Sequence, residues 1–203
     1  MPLYKQWQNS ETASAAIWKI EEPESFFVAQ TGLSSDKKFE TRRLEHLTGR
    51  FLLQYLLPSF PLNSIKISPL GKPFLEGENL FFSISHSFPF VGVVVDSQKQ
   101  TGIDVQTLQP KILKLQHKFL SPAEQVFCDN NPELITLAWA AKEAAFKKYG
   151  LGAVDFIKHM PITQMDILDR NAELTMQFSR EIPSTKIYLQ GGLEADFAWS
   201  VTR

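Results

Sequence analysis

The sequence contains little of what would place it in several large classes of protein. Cys128 is the only cysteine, so an intrachain disulfide and a cysteine-rich metal site are excluded. No stretch approaches the roughly 20 apolar residues that span a bilayer, and the first 20 residues lack the apolar core of a signal peptide. We therefore expect a cytoplasmic protein with no membrane partner.

The chain also lacks an excess of charge of either sign. It has 21 basic and 22 acidic residues and a formal net charge of −1. A general nucleic-acid binder needs a basic excess to neutralise phosphates, so this balance argues against that class. With 203 residues, of which 43% are hydrophobic, the chain can form one large domain or two small ones.

The N-terminal half predicts one long helix among short strands. The helix is expected over residues 35–57, where Pro58 ends it, after a short helix closed by Gly32. Arg43 and Arg50 lie seven residues apart along one edge of its apolar face, where they either clamp a phosphate or only make the helix soluble. The predicted strands of this half are residues 16–20, 64–68, 74–75, 80–87 and 90–95.

The C-terminal half repeats this alternation. Residues 102–106 predict a strand that sends Asp104 and Gln106 to one face. Ser121 to Glu124 has the pattern of a capping box, and a long helix should run from Asn131-Pro132 to Gly150. The tail is expected to be β over residues 162–168, 173–178, 185–190 and 196–201, with turns at 169–171 and at Gly191-Gly192. The predicted class is α+β: two pseudo-symmetric lobes, residues 1–100 and 101–203, each a small antiparallel sheet packed with a long helix.

The long helix near residue 140 places charges unusually. Trp139 and Phe146 form an apolar stripe, Lys142 lies within or beside it, and Glu143 and Lys147 border its other edge. As a surface pair four residues apart, Glu143 and Lys147 would contribute only about 0.2–0.5 kcal/mol. The alternative is that the aromatic side chains hold these charges at the edge of a binding site.

Four ordered stretches contain residues suited to a polyphosphate and a divalent cation. They are Gly71-Lys72-Pro73, Ser83 to Ser87 (SISHS), Gly102 to Asp104 (GID), and Trp139 to Glu143 (WAAKE) with Lys147. Their order resembles the 4'-phosphopantetheinyl transferases, specifically the larger, surfactin-synthetase-activating type with two fused pseudo-repeats. Each motif alone is weak evidence, whereas the ordered set is specific.

The resemblance implies a holo-[acyl-carrier-protein] synthase. Such an enzyme transfers the 4'-phosphopantetheine arm of coenzyme A to a serine of an apo acyl or peptidyl carrier protein and releases adenosine 3',5'-bisphosphate. It also implies Mg²⁺, with Mn²⁺ as the alternative ion, and a monomer with coenzyme A between the lobes. The implied catalytic residues are Asp104, Glu143 and Lys147; the metal ligands are Asp104, Glu143 and Gln106; the coenzyme A ligands are Lys72, Ser85, His86, Lys147, Arg43 and Arg50.

Gln106 departs from the family pattern, which commonly has an acid at this place. An amide oxygen can still bind a cation or orient its water, but it adds no negative charge. We expect weaker or differently hydrated metal binding. The alternative functions are a catalytically inactive coenzyme A or nucleotide-binding module and, less specifically, an interaction domain. Glu124 is compatible both with an approach to the metal and with helix capping alone.

Overall fold

Antiparallel strands and one long helix organise each half of the chain. The structure, a computed structural model, describes residues 2–203, which divide into two units, one ending at Thr101 and the other formed by Gly102–Arg203. Both units combine helices with antiparallel sheets, which confirms the predicted α+β class. In the described part of the chain, no helix has the length and apolar character needed to cross a membrane.

The first unit is built on a four-stranded antiparallel sheet with the strand order β1-β2-β6-β5. Strands β3 and β4 form a separate two-stranded ladder, and a 3-10 turn covers Leu62–Ser64. The elements are β1 Leu3–Gln8, β2 Ala13–Lys19, α1 Glu24–Thr31, α2 Glu40–Leu56, β3 Ile65–Ile67, β4 Pro73–Leu75, β5 Phe81–Ser87 and β6 Phe90–Asp96. Strand β1 had no predicted counterpart, because none of its residues is buried and it lacks a clear apolar face.

Helix α2 covers the sheet of the first unit with its apolar face. Its buried side chains include Leu44, Leu47, Leu52 and Leu53, which join the core of this unit. The helix starts five residues later than predicted, because the polar residues 34–38 provide no apolar face to pack and Phe39 is extended. Gly32 ends α1 in a left-handed conformation, as predicted.

The second unit has a five-stranded antiparallel sheet with the order β7-β11-β10-β9-β8. Helix α5 packs on β7, β10 and β11 of this sheet. The elements are β7 Ile103–Thr107, α3 Ile112–Leu115, α4 Pro122–Cys128, α5 Pro132–Tyr149, α6 Phe156–His159, β8 Ile162–Leu168, β9 Asn171–Phe178, β10 Thr185–Leu193 and β11 Phe197–Thr202, with a 3-10 turn at Gln116–Lys118. Helices α3 and α6 have one turn each, too short for an apolar period to predict them.

The prediction of a turn at Gly191-Gly192 was wrong, because both glycines lie inside β10. A Cβ on Gly191 would be 2.7 Å from Leu137 Cδ1, and one on Gly192 would be 2.4 Å from Trp199 Nε1. Glycine is therefore required here by the close approach of α5 and of the Trp199 ring, and not by a turn.

Gly102 allows the start of β7 to touch the backbone of α5. A Cβ at this position would lie 2.0 Å from the carbonyl oxygen of Ala144 and 2.8 Å from the amide nitrogen of Lys148. Both neighbours are helix backbone, which cannot rotate away as a side chain can. The glycine thereby fixes the distance between α5 and the strand that carries Asp104.

We predict that Gly102→Ala lowers the free energy of unfolding by about 3 kcal/mol, because strand and helix must separate. Urea unfolding followed by tryptophan fluorescence measures the change. Gly77→Ala is the control: Gly77 has a φ of 74° but no neighbour within 4 Å, so only backbone strain of about 1 kcal/mol applies. Equal losses in the two variants would contradict the close-contact explanation.

Candidate active site

Asp104 on β7 and Lys147 on α5 form an ion pair in the second unit. Lys147 Nζ lies 2.6 Å from Asp104 Oδ1 and also donates to the carbonyl oxygen of Ile103, at 3.2 Å. The Asp104 side chain is 8% exposed and that of Lys147 27% exposed. Lys147 is therefore bound to the neighbouring strand, and does not form the surface pair with Glu143 that its spacing allows.

Glu143 lies on α5 one turn before Lys147. Burial, with a further contribution from the negative charge of Asp104, raises the pKa of Glu143 to about 7, although Lys147 acts in the opposite direction. Two carboxylates are thus close enough to influence each other in a poorly solvated place. Such a group is a candidate for proton transfer or cation binding.

A cavity of about 880 Å³ lies beside Glu143, entirely within the second unit. Gln106 and Glu143 contribute polar groups to its lining, and Lys111 and Lys118 contribute basic ones. The apolar lining consists of Ile112, Leu115, Phe119, Trp139, Val154, Phe156 and Ile157. The other lining residues are Thr107, Gln109, Thr136 and Asp155, so the cavity combines apolar and polar walls, as small-molecule sites do. The sequence predicted Trp139 as part of an apolar stripe on the helix, and its contact with a cavity was not predicted.

The side chains around Glu143 fit a hard divalent cation. When both are ionised, Asp104 and Glu143 carry two negative charges, of which Lys147 balances one. Among the described residues, no group of three or more His, Cys, Asp or Glu side chains could hold a metal. Magnesium usually needs only one or two protein carboxylates and keeps water or substrate phosphate as its other ligands. The two acids, with the amide of Gln106 nearby in the same lining, satisfy that requirement.

Lys142 is fully buried and connects two residues of the cavity wall, Phe119 and Phe156. Its ammonium group contacts Glu124 Oε1 at 2.6 Å and donates to the carbonyl oxygens of Phe119 and Phe156, at 2.7 and 3.0 Å. All three of its N–H groups therefore have acceptors. Burial lowers the pKa of Lys142, and the hydrogen bond to Glu124 opposes that change. The role of Lys142, which the sequence did not explain, is to hold these walls together.

Glu124 is occupied by structural contacts. Its Oε2 accepts from the Ser121 amide at 2.7 Å, which completes the capping box of α4, and its Oε1 accepts from the Ile162 amide at 2.9 Å. The side chain is 1% exposed. Between the two alternatives for Glu124, these contacts favour capping and the pairing with Lys142.

The predicted anion ligands of the first unit lie on β5 and on the turn before β4. Ser85 is buried on β5 opposite Gly92, and His86 follows it with a partly exposed side chain. Lys72 donates to Gln100 Oε1 at 3.0 Å, and burial lowers the pKa of its ammonium group. His86 contacts two residues of α2 that the sequence analysis did not select, Arg42 and Glu45.

Arg43 and Arg50 have other partners. Arg43 pairs with Glu24 at 2.9 Å and donates to the carbonyl oxygens of Lys37 and Lys38. Arg50 donates to the carbonyl oxygen of His46 at 3.4 Å. The arginine that meets His86 is Arg42, three residues before the buried Glu45. Gly49, one turn after Glu45 in mid-helix, was the available signal, since such a glycine marks a close approach to a neighbouring element.

The geometry around Glu143 indicates a general class of protein, an enzyme. Two interacting carboxylates and a lysine beside a large cavity with mixed apolar and polar walls are typical of an enzyme site.

Comparison with known proteins then gives the family. The family model described as "4'-phosphopantetheinyl transferase superfamily" matches residues 100–202, and the chain belongs to this family of enzymes. It is 28% identical over 179 residues to a Haemophilus influenzae protein that is provisionally named a 4'-phosphopantetheinyl transferase, covering 82% of this chain and 75% of that protein.

Two further relatives carry the same enzyme name. The chain is 30% identical over 95 residues to a 4'-phosphopantetheinyl transferase of Bacillus subtilis, covering 44% of this chain and 42% of that protein. It is 29% identical over 127 residues to the 4'-phosphopantetheinyl transferase AcpT of Escherichia coli O157:H7, covering 59% of this chain and 64% of that protein. The matched part is thus less than two thirds of these two relatives.

We predict that Glu143→Gln stabilises the fold above pH 7. Because the pKa of Glu143 rises from 4.5 to about 7 on folding, wild-type stability falls as the pH increases through this range. The amide has no such penalty, so the variant should gain about 1–3 kcal/mol above pH 7 and lose this advantage below pH 4.5.

Urea unfolding at several pH values, with a chelator present, measures this difference. Glu173→Gln is the control, because Glu173 is an exposed acid of the same unit that pairs with Arg203. A gain for Glu143→Gln that does not depend on pH would contradict the raised pKa.

We predict that Lys142→Met lowers the free energy of unfolding by about 3–5 kcal/mol, because it leaves the buried Glu124 carboxylate without its cation. Adding Glu124→Gln should recover part of this loss, because it removes the unpaired charge, although the Phe119 and Phe156 carbonyl groups stay unpaired and one of the two amides bound by Glu124 then faces the Gln NH2 group. Chemical denaturation measures both. Lys158→Met, at an exposed lysine, should stay within about 0.5 kcal/mol of wild type, and an equally small effect of Lys142→Met would contradict the assignment.

Proposed function

We propose that this protein transfers the 4'-phosphopantetheine arm of coenzyme A to a serine of an apo carrier protein and releases adenosine 3',5'-bisphosphate. The observation that carries the proposal is the arrangement of Asp104, Lys147 and Glu143 beside the large cavity, in a chain that belongs to the 4'-phosphopantetheinyl transferase superfamily. Mg²⁺ bound by Asp104 and Glu143, with Gln106 nearby, would neutralise negative charge on the pyrophosphate oxygens.

Glu143 and Lys147 have complementary roles in this reaction. Glu143 accepts the proton of the attacking serine hydroxyl, directly or through water. Lys147 stabilises the negative charge that develops on the leaving phosphate. The hydrogen bond from Lys147 to the Ile103 carbonyl and its pairing with Asp104 hold the ammonium group in place for this task.

Coenzyme A is bound through both its phosphates and its organic arm. Lys72, Ser85 and His86 bind the 3'-phosphate and neighbouring phosphates, and Arg43 and Arg50 stay predictions at the adenosine end. The cavity beside Glu143 receives the pantetheine arm, because apolar walls with a few amide and hydroxyl groups suit a chain that alternates methylene and amide units. The phosphoryl group to be transferred would then lie next to Glu143.

The proposal also covers the type of transferase, its location, its oligomeric state and its protein partner. The two units support the larger type of transferase with two pseudo-repeats, here a cytoplasmic monomer whose protein partner is an acyl or peptidyl carrier protein. The competing function, an inactive coenzyme A-binding module, depends on Gln106 alone. Activity with Gln106 in place requires that two carboxylates suffice for the cation, as is usual for magnesium.

The test is incubation of the purified chain with several apo carrier proteins, coenzyme A and Mg²⁺, followed by mass spectrometry of the carrier. We expect the added phosphopantetheine arm with wild type. Asp104→Asn and Glu143→Gln should each reduce kcat by about 100-fold or more, because each removes a charge at the reacting phosphate.

Glu173→Gln, at an exposed acid of the same unit, should keep wild-type turnover. Measurable coenzyme A binding without modification of any carrier would favour the inactive module. Near-normal turnover of either site variant would overturn the assignment of the two acids.

A further inference from the structure

Two nitrogen groups of the first unit converge on one buried carboxylate oxygen. Glu45 Oε2 lies 2.9 Å from Arg42 Nη1 and 3.2 Å from His86 Nδ1, and the two nitrogens are 3.3 Å apart. The Glu45 side chain is only 5% exposed, whereas those of Arg42 and His86 are 59% and 41% exposed. A buried carboxylate thus holds two partly exposed nitrogen groups side by side.

The packing of α2 on β5 brings these groups together. Glu45 and Gly49 share one face of the helix, four residues apart, and Ile84 and His86 share one face of the strand. A Cβ on Gly49 would lie 2.9 Å from Ile84 Cγ2, so the glycine allows a close approach of helix and strand. Because of this approach, Glu45, one helical turn before Gly49, lies within hydrogen-bond distance of His86.

The contact determines which hydrogen His86 can offer to a ligand. The Glu45 carboxylate beside Nδ1 favours a hydrogen on that nitrogen, and when the ring is protonated the opposite nitrogen, Nε2, also carries one. A charged imidazolium next to a guanidinium is suited to a phosphate monoester, to which both can donate charge-assisted hydrogen bonds. Without the carboxylate, the ring could rotate or present the lone pair of Nε2 to the anion.

His46, which follows Glu45 on α2, does not contribute charge near pH 7. Burial, followed by repulsion from Arg50 and Lys37, lowers the pKa of His46 to about 4, so that this ring is neutral near pH 7. The permanent positive charge in direct contact with His86 therefore comes from Arg42.

We propose that Glu45 is a positioning residue that orients His86 and Arg42 to bind a phosphate monoester, and that Arg42 is a direct ligand of it. The proposal rests on the proposed function, in which this monoester is the 3'-phosphate of coenzyme A. The reaction itself takes place at the pyrophosphate, so Glu45 contributes to substrate binding and not to the chemical step.

Glu45→Gln tests this role with two substrates. It should raise KM for coenzyme A about tenfold with little change in kcat, because one charge-assisted contact is weakened in ground and transition states alike. With 3'-dephospho-coenzyme A, Glu45→Gln and wild type should agree within about twofold. An equal loss with both substrates, or no loss with either, would overturn the proposal. Glu21→Gln, at an exposed acid paired with Lys19, is the matched control and should leave both KM values unchanged.

A double-mutant cycle separates positioning from folding. If Glu45 acts through His86, then Glu45→Gln should have almost no further effect on KM in a His86→Ala background. Independent, multiplying effects of the two substitutions would contradict a shared role. His86 is partly exposed, so His86→Ala should fold even if Glu45→Gln alone is destabilised.

Calorimetric binding distinguishes this inference from the proposed function. Wild type should prefer adenosine 3',5'-bisphosphate over adenosine 5'-monophosphate, and Glu45→Gln should weaken binding of the bisphosphate alone, by about tenfold. If no carrier protein is modified but this pattern holds, the inference stands without the proposed transfer reaction. If transfer occurs and wild type shows no such preference, the inference is wrong and the transferase function stands.

Discussion

The buried ion pair between Lys142 and Glu124 is the constraint on which the candidate active site depends. An ammonium group without exposure to water is costly, and it is tolerated here because all three of its hydrogens have acceptors. Those acceptors belong to three separate segments: α4, the residue that follows the 3-10 turn, and the first residue of α6. The pair therefore ties the surroundings of α5 together, and the cavity walls at Phe119 and Phe156 are fixed by the same nitrogen.

Three charged side chains of α5 face three different surroundings. Lys142 faces the interior, Glu143 faces the cavity, and Lys147 reaches β7, where it meets Asp104. The close contact at Gly102 sets the distance of β7 from this helix. Of these three side chains, Glu143 is the one whose charged form is destabilised, because burial and Asp104 both oppose its ionisation. Such a cost is common at binding sites, where ligand or cation binding compensates for it.

The positions of the charged side chains relative to the core were easier to predict from sequence than the contacts that hold them in place. The period of α5 and the alternation of β7 identified Asp104, Glu143 and Lys147 as neighbours of an apolar core, because these patterns are local. The partner of Lys147 was not predictable in this way, since Glu143 at i−4 is an equally good candidate by spacing. The cavity walls come from one-turn helices whose positions depend on Lys142, a contact that joins residues far apart in sequence.

In the first unit, too, spacing along a helix did not predict the partners of its charged side chains. Arg43 was selected because it lies seven residues from Arg50, yet its guanidinium pairs with Glu24 of α1, while Arg42 reaches His86. One helical position corresponds to a rotation of about 100°, so neighbouring arginines point to different surroundings. The choice between them depends on how α2 lies against β5, and this depends on Gly49 and Ile84. The spacing of two arginines therefore does not show which arginine contacts β5, and here the buried Glu45 holds the one that does.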